Sequence, residues 1–194
     1  MDNDSLMVQK FAEILRTLKK ESIRGSVIIA AAVIDDQLQE LLENRLLLCH
    51  EKNDPLFSGA NAPIGNMSSK IELAYRTGCI TEKTRKSLHI LRKLRNDFAH
   101  LSHEISFETQ SVKDRTRNLL KLNSEFVEFM WKGVRTEMFE LAGVNDPPPC
   151  KDFFTDMLQN AGYRHTFEIW ASAVAASLAE KSTEIERLGV NSEA

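Results

Sequence analysis

The placement of proline constrains this chain more than any other feature. All five prolines fall in two places, Pro55 and Pro63 in one segment and Pro147, Pro148 and Pro149 in another. Long proline-free blocks remain between and around them. Proline inside a helix removes a hydrogen bond and costs about 3 kcal/mol, so blocks cleared of it suit helices. Apolar residues within the blocks recur at helical rather than alternating spacing. The expected fold is therefore all-α, a multi-helix bundle with long central helices. With 194 residues, 42% hydrophobic and 27% charged, wholesale disorder is excluded and a single domain over residues 1–194 is expected.

The pattern predicts where the helices lie. Ser5 to Lys20 places Phe11, Ile14, Leu15 and Leu18 on one face. A longer helix is expected from Ser22 to about Cys49. Its stretch 27–34 is apolar nearly all round, as befits the centre of a bundle, and then narrows to Ile34, Leu38, Leu41 and Leu42. After a loop over 51–66, Met67, Ile71, Ala74 and Tyr75 mark a short helix that Gly78 should stop in a left-handed cap. Thr81 is a candidate N-cap for the next helix, whose stripe is Leu88, Leu91, Leu94, Phe98 and Leu101. Val112, Leu119 and Leu120 follow, then Phe126, Val127, Met130, Trp131, Val134 and Met138 up to Gly143. A final block runs through Phe153, Phe154, Met157, Leu158, Tyr163, Phe167, Trp170, Val174 and Leu178, with Gly162 interrupting or weakening it.

Charge narrows the partners. With 25 Lys+Arg against 28 Asp+Glu the net charge is −3, so any nucleic-acid contact needs a local basic patch. Cys49, Cys79 and Cys150 are scattered, without metal spacing, which fits a reducing compartment and argues against a disulfide framework. The opening Met1-Asp2-Asn3-Asp4 is acidic where a signal peptide would be basic. The most apolar run ends at Asp35-Asp36, far short of the ~20 residues a membrane span needs. A cytoplasmic protein with no membrane contact is expected.

The densest functional signal lies at 90–100. Six of the 25 basic residues, Lys83, Arg85, Lys86, Arg92, Lys93 and Arg95, precede Asn96-Asp97-Phe98-Ala99-His100. On a helix Arg92, Asn96 and His100 share a face, while Arg95 sits about 140° from His100. Arginine and asparagine beside a histidine could hold a phosphate and move a proton. The structural alternative is a solvated basic face, with His100 packed and Arg95 paired to a carboxylate such as Asp97 or Glu104. A helix-turn-helix across 71–94 is disfavoured, because Thr84 and Ser87 stand where a recognition helix needs apolar packing residues. His100-x-x-His103 and the adjacent Cys49-His50 offer no third metal ligand. No glycine-rich phosphate loop or serine or cysteine nucleophile motif is present, and no cofactor is expected.

Several strings together resemble the mannitol operon repressor family: Asp54-Pro55-Leu56-Phe57, Pro63-Ile64-Gly65, Ser68-Ser69-Lys70, Ala74-Tyr75, Gly78 and Leu94-Arg95-Asn96-Asp97-Phe98-Ala99-His100. The family-like part spans about 22–107, strongest over 27–107, with helices over 109–190 completing the bundle. The resemblance implies a transcriptional regulator, a repressor, with an all-helical fold and no recognisable DNA-reading motif. The binding residues expected on this reading are Arg92, Arg95, Asn96, His100, Lys70 and Tyr75. The regulator would act through a protein partner, such as another transcription factor, as a homodimer, with direct specific DNA binding weak or absent. A more distant resemblance covers Arg95, Asn96 and His100 alone, which match the Arg…His pattern of HEPN-type domains. Active members cleave RNA without metal, usually at a dimer interface. On that alternative these three residues are catalytic; otherwise the chain is no enzyme. A purely structural, partner-binding bundle is the third possibility.

Overall fold

A computed structural model describes residues 6–100, 105–144 and 149–189. Among these residues there are eight α-helices and no strand: α1 (Leu6–Lys20), α2 (Ile23–Arg45), α3 (Met67–Arg76), α4 (Glu82–Ala99), α5 (Gln110–Leu122), α6 (Ser124–Leu141), α7 (Phe153–Asn160) and α8 (Gly162–Glu184). The all-α expectation holds. Leu101 and the side chain of Met138, both expected in apolar stripes, lie outside the described residues.

Side-chain caps account for several starts. Ser22, Asn66, Thr81 and Asp152 each accept a hydrogen bond from the backbone N–H three residues on, satisfying a first-turn donor that has no partner within the helix. Two glycines supply stops and breaks. Gly78 adopts φ +73°, letting the Cys79 N–H return to the Ala74 carbonyl at 2.8 Å, and Gly162, at φ +76°, separates α7 from α8.

The long second helix ends earlier than its sequence suggests. It stops at Arg45 rather than near Cys49, and Leu47 and Leu48 are exposed. The cause lies far along the chain. Arg187 donates to the Glu43 and Leu46 carbonyls at 2.8 and 2.6 Å, and the Leu188 N–H donates to the Arg45 carbonyl at 2.7 Å. The segment after α8 therefore satisfies carbonyls that further helical turns would otherwise have to satisfy.

Two helices form the centre. α2 buries Val27, Ala30, Ala31, Ile34, Leu38, Leu41 and Leu42, as its apolar run predicts. α8 is the second central helix, buried around most of its circumference from Thr166 to Ala179, and it packs on both α1 and α2. Five of its thirteen buried positions are alanine, which lets neighbouring backbones come close, and burial nearly all round leaves no single apolar face to read. α4 lies against α2, α3 and α5, with Leu88, Leu91, Leu94 and Phe98 inward. A ladder of rings, Phe98 to Phe107 at 5.6 Å, Phe107 to Phe167 at 5.4 Å and Phe167 to Trp170 at 6.1 Å between centroids, joins it to α8.

Candidate functional site

Where the apolar run of α2 gives way to Asp35-Asp36, a cleft of about 570 Å³ opens between three elements. α2 contributes Asp35 and Asp36, the N-cap and first turn of α3 contribute Asn66 and Ser68, and α4 contributes Arg92, Arg95 and Asn96. Helical spacing explains the α4 wall. Leu91, Leu94 and Phe98 take the buried face, so Arg92, Arg95 and Asn96 emerge beside it. Asn66 caps α3 by accepting from the Ser69 N–H at 3.0 Å, and this fixes the loop that forms the third wall. The result is a cleft with two carboxylates on one side and two guanidinium groups on the other.

The six residues expected to bind do not all meet there. Arg92, Arg95 and Asn96 line the cleft, and Arg95 donates to the Asn96 side-chain oxygen at 3.2 Å. Lys70 stands behind the wall, its side chain 5% exposed and its ammonium 3.1 Å from Asp35 Oδ2. His100 is the C-cap of α4 and is exposed; its carbonyl accepts from Arg24 at 3.2 Å. It is not among the cleft-lining residues. Tyr75 sits elsewhere, beneath the Arg85 guanidinium at 5.1 Å from the ring centroid.

Among the described residues, the structural alternative for Arg95 and His100 is not met. Asp97 pairs with Arg115 of α5 instead of Arg95, and His100 is not packed. Glu104 and His103 lie outside the described residues. Two polar atoms of the cleft-lining residues, Asp35 Oδ1 and Arg92 Nε, are buried without a hydrogen-bond partner. Such atoms cost about 1–3 kcal/mol each when left unpaired.

A second polar cluster was not legible from sequence. Glu72 of α3 receives His89 at 2.6 Å and Arg85 at 3.0 Å, both from α4, and Arg85 also reaches Glu82 at 3.2 Å. These hydrogen bonds, from His89 first and Arg85 second, hold the Glu72 carboxyl below its ordinary range. The partners are 13 and 17 residues away across the turn, and spacing within one helix gives no sign of them. The cluster pins α3 to α4 and so steadies two walls of the cleft.

The basic helix α4 is packed against α2, α3 and α5. A recognition helix must stand clear enough to enter a groove, whereas α4 is held between three neighbours. Ser87 is buried, donating to the Lys83 carbonyl at 2.9 Å and accepting from Asn123 at 2.9 Å.

Fold and cleft together define an all-helical bundle with a charged groove between α2, α3 and α4. No family model and no curated protein matches the sequence. Among solved structures, the chain is similar to MtlR in the X-ray structure of the MtlR–HPr complex from Escherichia coli. The likeness covers 88% of this chain and 99% of that one, with a TM-score of 0.54 and 17% sequence identity. It establishes that the two chains share a fold across nearly their whole length. No described helix is long and apolar enough to cross a membrane.

Proposed function

We propose that this chain is a transcriptional regulator of the mannitol operon repressor type that acts through a protein partner rather than by reading DNA directly. One observation carries the reading: the fold is shared almost end to end with MtlR, a protein whose structure was solved in complex with HPr. The cleft supports it. Its mixed charge, with Asp35 and Asp36 facing Arg92 and Arg95, suits the polar surface of another protein, where complementary charges set register and specificity. A small protein of the HPr kind is the first candidate partner and another transcription factor the second; the regulator itself is a homodimer. Titration calorimetry with HPr from the same organism is the direct test. A saturable complex is expected, weakened about ten-fold or more by Arg92→Glu or Arg95→Glu and little affected by Arg16→Glu on α1. Binding that ignores both cleft substitutions would detach the partner from this cleft.

The metal-independent ribonuclease is the second reading, favoured by a single observation: Arg95 and Asn96 open on one cleft, with His100 exposed one helical turn beyond. His100 would act as acid or base and Arg95 would stabilise charge developing at phosphate. Incubation with mixed single-stranded RNA in a chelator decides. Cleavage by the parent, abolished in both His100→Ala and Arg95→Ala, would replace the regulator reading.

A further inference from the structure

A second cavity, of about 320 Å³, shares no lining residue with the charged cleft and has a different character. It runs along one face of α8, from Trp170 through Val174 and Ser177 to Lys181, and Ile80 of the turn before α4 and Thr84 of the first turn of α4 close it. At 1.5 Å per residue the span from Trp170 to Lys181 is about 16 Å, so the space is elongated. Its volume is within the range of small-molecule sites.

The two ends differ chemically. Trp170 is 1% exposed, and its indole nitrogen is buried with no hydrogen-bond partner. Lys181 is exposed at the other end and forms no ion pair among the described residues. Between them the wall is mostly apolar, through Ile80, Val174 and Leu178. An indole N–H sealed from water and unpaired is unfavourable, and an acceptor placed beside the ring removes that cost. The nitrogen is closed to solvent, so an acceptor in the cavity would reach it only with a small turn of the ring.

We propose that this cavity binds a small elongated amphipathic acid: an anionic head at Lys181, an apolar body along α8, and an acceptor oxygen at the Trp170 end. This site is separate from the charged cleft and does not depend on the function proposed for it. An ω-hydroxy acid of ten carbons has the required length once the reach of the lysine side chain is added, so 10-hydroxydecanoate is the probe and decanoate its control.

The chain has two tryptophans, so a Trp131→Phe background leaves Trp170 as the only indole reporter. Adding 10-hydroxydecanoate below its micellar range should change Trp170 emission saturably. Lys181→Gln, an exposed change that leaves the core intact, should weaken binding about three- to five-fold, the worth of one solvent-accessible charge pair. Decanoate should bind several-fold more weakly than the hydroxy acid, and calorimetry on Trp170→Phe should find the two acids equal. A non-saturating response, or an affinity unchanged by Lys181→Gln, would overturn the proposal. So would a hydroxyl preference that survives in Trp170→Phe; if that variant does not fold, the Lys181→Gln result decides alone.

Discussion

Lys70 of α3 meets Asp35 of α2 at 3.1 Å, and the two partners are unequally buried: 5% of the lysine side chain is open to solvent against 29% of the aspartate. The asymmetry makes the two single substitutions unequal. Asp35→Asn strands an almost fully buried ammonium, for which about 3–5 kcal/mol is the usual penalty. Lys70→Met leaves a carboxylate that water still reaches and puts a similar volume of apolar side chain in place of the lysine stem. We expect Asp35→Asn to be the more destabilising by urea denaturation; the reverse order would mean that the lysine is solvated in solution.

Core substitutions distinguish the two central helices. Ile34 of α2 is fully buried, so Ile34→Ala should cost about 2–5 kcal/mol. Ala176 of α8 is fully buried as well, but there the danger is the opposite one. Ala176→Leu adds volume where backbones approach closely and should cost about 1–3 kcal/mol through overpacking. Thermal or denaturant melts of both variants check this, and a neutral Ala176→Leu would show slack at the centre of the bundle.

Direct, sequence-specific DNA binding should be weak or absent in the purified chain. Specific complexes commonly reach ~10⁻⁸–10⁻¹¹ M at physiological salt. Gel-shift titration against its own operator region should fall short of that range, leaving only weak, salt-sensitive binding through residues such as Lys83 and Lys93. A tight shift without a partner protein would contradict the proposed mode of action.

Acid should expose the contribution of Glu168. This residue sits on α8 with its side chain 3% exposed, 2.7 Å from Arg164 and 3.9 Å from His165. Burial pushes its carboxyl upward, but the bonds from His165 and Arg164 outweigh burial and hold it below the ordinary value of 4.5. The unfolded chain therefore takes up protons first as the pH falls through 4.5. The stabilisation is complete above that value and fades as the pH drops toward the lowered folded value. Glu168→Gln should accordingly be less stable than the parent at neutral pH, with a gap that closes in acid. A gap that stays constant with pH would separate the defect from ionisation.

Much of the architecture was written in local pattern. Proline placement, the apolar run in α2, the Thr81 cap and the Gly78 stop each act over a few residues, and each turned out as expected. What escaped was set by residues far apart in the chain. α2 ends early because Arg187 and Leu188 take its last carbonyls, and no reading of residues 22–49 could show that. α8 hid its central place because alanine marks a core only when something packs against it. At the cleft, the helical wheel joined Arg92 and Asn96 correctly, but His100 falls at the α4 terminus and lies outside the wall. The carboxylate wall from Asp35 and Asp36, and the Glu72–His89 pair, needed the packing of α2 and α3 on α4 before they became visible.

The contact between the second helix and the last has a consequence during synthesis. The Asn44 side-chain amide donates to Ser182 Oγ at 2.9 Å, two positions 138 residues apart in the chain. At ~5–20 residues per second, a ribosome needs on the order of ten seconds to deliver α8 after α2 has been made. Throughout that interval α2 lacks the helix against which it packs most extensively. The nascent chain is thus most open to chaperones, and to aggregation with its neighbours, just before its final helix arrives.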